Sequence, residues 1–284
     1  MITGLRRWCL VLLATCLPLS AQASDVPYVP TPMNVVDAML GLGAVGPDDY
    51  LIDLGSGDGR ISIRAATRFG TQGMGVDLDD NLVGMARADA QKQGVADRAT
   101  FAVRNLFDTD VSRATVVTAY LFQSINIRLR PMLFEQLKPG TRIVTHDFDF
   151  GDWRPDQKIT IDVPDKAYGP PRSDIMLWVM PANFAGNWQW SLPGTAGYEL
   201  RLEQKFQMPV GTVMVQGRPL RLGEVRIKGD VVSFTVTGEA GVQRYTGRID
   251  GNRISGEVVL RSGERAQPWR AERVKTGKIN ISGM

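Results

Sequence analysis

The 284-residue sequence is poor in the side chains that most often bind metals or act as nucleophiles. Its two cysteines, Cys9 and Cys16, lie within the first 20 residues, and its one histidine is His146. A later disulfide, a zinc cluster, cysteine catalysis and any mechanism with two imidazoles are therefore excluded, and we predict no metal site. A net charge of +3 is too small to indicate nucleic-acid binding, so we expect no nucleic-acid partner.

The first 23 residues have the pattern of a targeting segment. Arg6 and Arg7 precede an apolar run over residues 8–19, and Ala21 and Ala23 are the small residues of a signal-peptide cleavage site. This run is shorter than the roughly 20 residues that a spanning helix needs, although an uncleaved anchor is the alternative. We expect cleavage after Ala23, no transmembrane segment in the mature chain, and a periplasmic or secreted location.

Charge and periodicity divide the remaining chain into two domains, 24–182 and 183–284. The first has 16 Lys and Arg against 21 Asp and Glu, a net charge of −5, and the second has 15 against 9, a net charge of +6. Apolar runs alternate with helical periodicity in the first domain, which predicts an α/β fold whose seven-stranded sheet is covered by helices. The predicted strands are 50–54, 73–77, 100–104, 115–120, 142–146, 158–163 and 175–180, the last two forming a hairpin, and the predicted helices are 60–69, 81–93 and 127–137.

The second domain lacks helical periodicity and has turn glycines at regular intervals. The intervals between Gly217, Gly229, Gly241, Gly251 and Gly263 are 12, 12, 10 and 12 residues. This spacing predicts an antiparallel β barrel or sandwich of about seven strands.

The ends of the second domain also resemble those of a lipocalin-like barrel. Gly186-Asn187-Trp188 opens the domain, and Trp269-Arg270 and Arg273 come near its end. In barrels of this kind the tryptophan closes one end of the barrel beneath an arginine.

The chemistry of the chain is concentrated in Asp53-Leu54-Gly55-Ser56-Gly57-Asp58-Gly59-Arg60, between a predicted strand and helix. Three alternate glycines allow backbone N–H groups to approach a ligand at the helix N-terminus. A carboxylate at Asp53 suits an ammonium group better than a phosphate, and Asp77, at the end of the next strand, is placed to accept both hydroxyls of a ribose. Together these features predict a site for S-adenosylmethionine.

The sequence here resembles the class I (seven-stranded) methyltransferases over about residues 28–180. It is most similar to the small protein-lysine methyltransferases related to the mitochondrial enzyme that acts on the ATP synthase c-subunit, through residues 28–32, residues 53–60 and the helix that begins at Pro32. The resemblance implies a Rossmann-like methyltransferase sheet, S-adenosylmethionine as cofactor, and adenine contacts after the third strand. The expected cofactor residues are Tyr28, Thr31, Asp53, Gly55, Ser56, Gly57, Gly59, Asp77, Leu78, Asn105, Leu106 and Phe107.

Some of these residues have simpler structural alternatives. Tyr28 either covers the methionine end of the cofactor or packs on the sheet, and Thr31 is foremost the N-cap of a helix with Pro32 at its first position. Trp153 either roofs the substrate pocket or packs beneath the β domain.

Four residues are candidates for catalysis. Tyr120 and Asn126 follow the fourth strand and are expected to orient an amine acceptor, whereas an oxygen acceptor would need His146 or Asp147 as its base. His146 is alternatively a hydrogen-bonded structural residue. An Asp/Asn-Pro-Pro-Tyr/Phe motif is absent after the fourth strand, which argues against nucleobase-amine and glutamine methylation. The expected partner is a protein or small-molecule methyl acceptor, and N-methylation of a protein lysine or a small amine is favoured.

An exported methyltransferase needs a donor that is made in the cytoplasm, which leaves two alternatives. The fold is catalytically silent and the chain is an envelope binding module acting through its basic β domain, or the targeting prediction is wrong and the enzyme is intracellular. The opposite charges of the domains predict that the barrel docks near the substrate edge of the sheet, with Trp153 and Trp188 as apolar contacts.

Overall fold

The computed structural model describes residues 28–194, 197–239 and 241–282. The predicted signal segment lies outside the described residues. Within them, no helix combines the length and apolar character needed to cross a membrane.

The described part of the first domain has four α-helices and seven strands. Their order along the chain is α1 (Met33–Leu42), β1 (Tyr50–Leu54), α2 (Arg60–Phe69), β2 (Gln72–Asp77), α3 (Asp80–Lys92), β3 (Ala99–Val103), β4 (Val116–Ala119), α4 (Gln123–Gln136), β5 (Arg142–His146), β6 (Gln157–Asp162) and β7 (Arg172–Val179).

The seven strands form one sheet in the order β3-β2-β1-β4-β5-β7-β6. Strands β1 to β5 are parallel, and β7 is antiparallel to β5 and β6. The predicted hairpin is therefore present and completes the predicted seven-stranded sheet. The strand order reverses on either side of β1, and open α/β sheets bind their ligands at the carboxyl ends of strands beside such a reversal.

Alternate residues of the strands pack on opposite faces of the sheet, as the period of two along a strand requires. Leu51 and Val116 lie in the core with α1 and α2, and Ile52 and Val117 lie in the core with α4. Helix α3 packs against α2 and β3 in a smaller cluster around Phe101.

Helix α4 begins four residues earlier than the sequence predicts. The predicted helix covers residues 127–137, whereas α4 covers Gln123–Gln136. The N-cap residue, Phe122, offers no side-chain hydrogen bond to the first turn, so the start carries none of the usual sequence signals. Asn126 consequently lies in the first turn of the helix rather than in an open loop.

The described residues of the second domain form a closed barrel of eight antiparallel strands, against the predicted seven or so. Pairing of β9 (Tyr198–Lys205) with β10 (Met208–Val215) completes the ring, and a ninth short strand pairs with β9 in parallel. The strands are β8 (Gly186–Trp190), β9 (Tyr198–Lys205), β10 (Met208–Val215), β11 (Arg218–Lys228), β12 (Val231–Gly238), β13 (Gly241–Asp250), β14 (Arg253–Val259), β15 (Gln267–Thr276) and β16 (Ile279–Asn280).

Trp188 lies in the core of the barrel beneath an arginine. Its ring is fully buried, and the guanidinium of Arg273 lies 4.3 Å from the ring centroid. The indole nitrogen donates to the carbonyl of Phe184 at 2.9 Å. The expectation that Trp188 contacts the first domain is therefore wrong, because its side chain belongs to the core of the barrel.

The turn between β9 and β10 contacts the first domain. Phe206, in this turn, is fully buried and belongs to the apolar cluster on the α4 side of the sheet. Its ring stacks on Trp153 with centroids 5.7 Å apart. Trp153 therefore packs against the β domain, which is one of its two predicted alternatives, and does not roof the substrate pocket.

Candidate active site

A cavity of about 1050 Å³ opens at the carboxyl ends of β1, β2 and β4, where the strand order reverses. The loops that follow these strands line it, together with the segment before α1. All twelve predicted cofactor residues except Gly59 line this cavity: Tyr28, Thr31, Asp53, Gly55, Ser56, Gly57, Asp77, Leu78, Asn105, Leu106 and Phe107.

The glycine loop between β1 and α2 is folded tightly against the sheet. Gly55, Gly57 and Gly59 all have positive φ, at 78°, 53° and 78°. A Cβ atom at Gly57 would lie 2.6 Å from the ring of Tyr28, and one at Gly59 would lie 2.6 Å from the ring of Phe101. Gly59 therefore shapes the loop from behind the cavity. The positive φ values and the close approach together restrict these positions to glycine.

Asp53 presents an unpartnered oxygen at this cavity. Its side chain is almost fully buried; Oδ1 accepts a 2.7 Å hydrogen bond from Thr118, whereas Oδ2 has no partner among the described residues. Burial raises the pKa of this carboxyl to about 7, and the neighbouring charges of Asp77 and Asp58 act in the same direction. A buried carboxylate in this state is stabilised by a cationic group in the cavity, such as an ammonium.

Asp77, the last residue of β2, is fixed by two backbone donors. Oδ2 accepts from the N–H of Gly57 at 2.8 Å, and Oδ1 accepts from the N–H of Asp79 at 3.0 Å. One carboxylate thus joins the glycine loop to the start of α3 while lining the cavity. Its predicted bond to ribose hydroxyls stays a prediction.

The predicted adenine segment follows β3 and lines the same cavity. Asn105 Oδ1 accepts from the N–H of Phe107 at 3.0 Å, which starts a short 3-10 turn. The guanidinium of Arg128, from α4, lies 4.3 Å from the centroid of the Phe107 ring. Sequence reasoning missed Arg128, because only the fold brings α4 beside this segment.

The segment before α1 is held over the glycine loop by an ion pair that sequence reasoning also missed. Asp58 and Arg60 contact each other at 2.5 Å, and Arg60 Nη1 donates to the carbonyl of Thr31 at 2.8 Å. Burial and the charge of Asp58 raise the pKa of Tyr28. The Asp58–Arg60 pair therefore places Tyr28 and Thr31 at the edge of the cavity.

Known proteins match this part of the chain. The model of the ANTKMT methyltransferase domain matches residues 53–157. A protein-lysine N-methyltransferase of Saccharolobus islandicus is 45% identical over 138 residues, which are 48% of this chain and 86% of that protein. A lysine N-methyltransferase of Xenopus laevis, named for the ATP synthase c-subunit, is 32% identical over 131 residues, 46% of this chain and 57% of that enzyme.

The chain belongs to the class I S-adenosylmethionine-dependent methyltransferases, in the group related to these lysine enzymes. A solved structure, an RNA methyltransferase from Salinibacter ruber with S-adenosyl-L-homocysteine, is 50% identical and covers 53% of this chain and 93% of that chain, with a TM-score of 0.49.

S-adenosylmethionine is the cofactor of this methyltransferase, and the cavity fits it. The free oxygen of Asp53 suits the ammonium of its methionine part, and the buried hydroxyl of Ser56, which likewise has no partner among the described residues, lies beside the glycine loop. Asp77, Leu106 and Phe107 line the same cavity, where Asp77 would accept from the ribose hydroxyls and the other two would contact the adenine. Gly55 and Gly57 line the cavity without side chains, which leaves room for the cofactor beside the loop.

The other end of the cavity is lined by aromatic rings around Tyr120, the predicted catalytic tyrosine. Phe148 is stacked at 6.1 Å from Tyr120, and Phe122 meets Phe148 edge-on at 5.5 Å. Tyr28 and the exposed Tyr168 complete the lining. Burial raises the pKa of Tyr120, so its hydroxyl is neutral at physiological pH.

His146 and Asp147 lie behind this aromatic wall rather than on the cavity surface. The imidazole is almost fully buried 3.9 Å from the Tyr120 ring, with Nε2 2.9 Å from the hydroxyl of Ser173. Burial lowers the pKa of His146. Asp147 pairs with Lys166 at 2.6 Å and accepts from the N–H of Asp174 at 3.0 Å. His146 thus packs against the ring of Tyr120, and Asp147 is held by contacts outside the cavity.

Asn126 also supports the site from outside the cavity. Its fully buried amide nitrogen donates to the carbonyls of Phe148 and Asp149, at 3.1 and 3.2 Å, and more weakly to that of Leu121. The predicted contact with an acceptor would require this side chain to face the cavity, and it faces the segment after β5 instead. Of the four predicted catalytic residues, Tyr120 alone lines the cavity.

Proposed function

We propose that this methyltransferase methylates the amino group of protein lysines, with a small amine as the second acceptor of the same chemistry. The names of the two relatives support a lysine acceptor, and the archaeal one is similar over most of its length. The match to the ANTKMT methyltransferase domain supports the same class of acceptor.

The aromatic end of the cavity is the observation that carries this proposal. Five aromatic residues line the same cavity as the expected cofactor residues: Tyr28, Tyr120, Phe122, Phe148 and Tyr168. The faces of aromatic rings attract cations, so such a lining favours an ammonium or a methylammonium group over a carboxylate or a phosphate. The one imidazole of the chain lies behind Tyr120, a position that does not suit it to take a proton from an oxygen acceptor.

The residues of the site then act mainly by position. S-adenosylmethionine supplies a methyl group that is already activated by a positive sulfonium. The cofactor would be held by Asp53, Asp77 and the glycine loop. The aromatic residues around Tyr120 would align the acceptor amine with the methyl group and exclude water. Apolar surroundings favour the neutral amine, whose lone pair is needed for the transfer.

We also propose that the chain is exported and acts in the periplasm or outside the cell. Support comes from residues 6–23, which combine two arginines, a short apolar run and a small-residue cleavage pattern. Fractionation, with sequencing of the mature N-terminus, tests this point independently of the enzymatic activity. An N-terminus at Ser24 is expected, and an intact N-terminus in the cytoplasm would contradict export.

Mass spectrometry tests the acceptor. Residues 24–284 are incubated with S-adenosylmethionine bearing a labelled methyl group and with a cell-envelope extract, and labelled peptides are sequenced. We expect one to three methyl groups on lysine, and no label with Asp77→Ala. Label on another residue type would refute the lysine proposal, and cofactor binding without transfer would favour the silent binding module.

A further inference from the structure

The turn between β9 and β10 places one barrel side chain inside the core of the methyltransferase domain. The ring of Phe206 is fully buried against Trp153 and Phe134, with centroid distances of 5.7 and 6.1 Å, and the guanidinium of Arg130 lies 5.1 Å from its centroid. Phe206 adopts a positive φ of 52° to reach this position. A left-handed conformation is unfavourable for a bulky residue, so these contacts offset its cost.

Neighbours of Phe206 hold the segment formed by residues 148–154, which follows β5. Gln207 bridges this segment: its Oε1 accepts from the Trp153 indole at 2.8 Å, and its Nε2 donates to the carbonyl of Arg154 at 2.6 Å. Lys205 pairs with Asp152 at 2.9 Å. Three consecutive barrel residues therefore contact three consecutive residues of segment 148–154.

Segment 148–154 has little regular structure of its own. Its one bridge pairs Phe150 with Trp153, and the described chain has no helix between β5 and β6. Buried Arg130 of α4 donates to the carbonyl of Phe150 and pairs with Asp152 at 2.7 Å. The conformation of the segment is thus set by α4 from one side and by the barrel turn from the other.

The first residue of segment 148–154, Phe148, belongs to the aromatic wall around Tyr120. Phe148 lines the cavity and contacts Tyr120 and Phe122. Asn126 holds the carbonyls of Phe148 and Asp149. A shift of residues 152–154 would therefore move Phe148 relative to Tyr120, while Asp53 and Asp77 lie on other strands and would keep their positions.

We propose that residues 205–207, in the turn between β9 and β10, position the aromatic wall around Tyr120. The barrel would then determine how the acceptor is bound and have little effect on cofactor affinity. The inference rests on the proposed function in one respect, since the acceptor is taken to be an amine. Gln207 is a positioning residue and touches neither cofactor nor acceptor.

The test compares Gln207→Ala with Gln216→Ala in residues 24–284. Gln216 is an exposed glutamine in the next turn of the barrel, between β10 and β11, where its φ of 50° gives it the place that Phe206 has in the first turn. Hydrogen exchange of residues 147–154, the Kd of S-adenosylhomocysteine, and KM and kcat with poly-L-lysine are measured for both variants and the wild type.

With Gln207→Ala we expect faster exchange over residues 147–154 and a KM for poly-L-lysine about five- to twentyfold higher, because two hydrogen bonds are lost. The Kd of S-adenosylhomocysteine and kcat should change less than about twofold, and Gln216→Ala should resemble the wild type. Unchanged exchange, or a parallel loss of cofactor affinity, would overturn the inference. If the wild type does not methylate poly-L-lysine, the proposed function fails, and the exchange comparison still decides whether the turn positions the segment.

Discussion

The buried carboxyl of Asp53 couples the stability of the protein to pH. Burial raises its pKa from 3.8 to about 7, with Asp77 and Asp58 adding to the rise and the Thr118 hydrogen bond opposing it. Between about pH 4 and pH 7 the folded carboxyl keeps a proton that the unfolded chain has lost. The contribution of Asp53 to stability without cofactor therefore falls as the pH rises through this window.

The pKa of Asp53 rises from 3.8 to about 7, and each pKa unit corresponds to about 1.36 kcal/mol. Above pH 7 the ionised carboxylate therefore lowers the free energy of unfolding by about 4 kcal/mol. Asp53→Asn removes the charge, so at pH 8 its free energy of unfolding, measured in urea, should exceed that of the wild type by about 2–4 kcal/mol. At about pH 4 the two proteins should differ little. Comparing the two proteins cancels the titration of His146, whose lowered pKa acts on stability in the opposite direction.

Cofactor binding should show the opposite trend with pH, because an ammonium group binds the ionised carboxylate. With a pKa of about 7, roughly 3% of the carboxyl is ionised at pH 5.5 and roughly 90% at pH 8, so the Kd of S-adenosylhomocysteine should be roughly 30-fold higher at pH 5.5. Asp53→Asn should bind more weakly at pH 8, and its Kd should be nearly independent of pH. Titration calorimetry at several pH values measures this.

A Kd for the wild type that stays constant between pH 5.5 and pH 8 would refute the reasoning, as would an equal pH dependence in Asp53→Asn. Asp156→Asn is the matched control. Burial also raises the pKa of Asp156, which does not line the cavity and whose Oδ2 accepts from the N–H of Val179 at 2.7 Å. This variant should leave the pH dependence of S-adenosylhomocysteine binding unchanged.

Three further variants and one change of solvent test other parts of the account. Asp77→Ala should weaken S-adenosylhomocysteine binding at least tenfold, measured by calorimetry, since a charged hydrogen bond contributes about 1.5–3 kcal/mol. Asn126→Ala should lower the free energy of unfolding by about 1–3 kcal/mol in urea, because buried carbonyls lose their donor. Residues 24–182 alone should bind the cofactor but have a lower free energy of unfolding, because they lack Phe206 and Ile281, which pack on the apolar cluster of the first domain. Burial of the Phe206 ring contributes about 1.5–3 kcal/mol. Raising the salt concentration should leave the domains in contact, and thermal unfolding in two separate steps at high salt would contradict this.

The elements of the first domain can be predicted closely because each has a strong local signal. Short strand-like runs with apolar centres mark β1 and β5, whose bounds the sequence predicts to the residue, and helical periodicity marks α2. The cofactor end follows in the same way, since Asp53, the glycines and Asp77 occur at fixed places relative to two strands. Parallel strands bring their carboxyl ends to one edge of the sheet, so residues at these ends are expected to meet.

The acceptor end cannot be predicted in this way because its residues come together only in the folded chain. His146 ends β5, a position that favours the cavity, but its side chain points to the side of Thr31 and Ser173. Phe122 and Phe148, which do line the cavity, stand in segments without a motif. Asn126 lies inside α4, which begins four residues before the predicted start, and its amide donates to the carbonyls of Phe148 and Asp149 rather than lining the cavity.

The turn at Phe206 is the clearest case of a tertiary interaction deciding local structure. Turns of the barrel at Gly217, Gly229 and Gly251 carry glycine where φ is positive, as the sequence predicts. Phe206 has the same backbone conformation and none of the usual turn residues, so no local rule identifies it. Its ring instead fills the sheet face between α4 and β7, where the described chain provides no helix after β5.

The opposite net charges of the domains do not account for this contact. Its centre is the stacked pair Phe206 and Trp153, both fully buried, and the ion pair Lys205–Asp152 lies at its partly exposed rim. Pairs at such exposure contribute little and are screened by salt, whereas a buried aromatic contact is not. Since few of the barrel's cations are used in the contact, arginines such as Arg244 and Arg270 remain exposed on its outer face. Most of the net charge of +6 on residues 183–284 therefore lies outside the contact between the barrel turn and the methyltransferase domain.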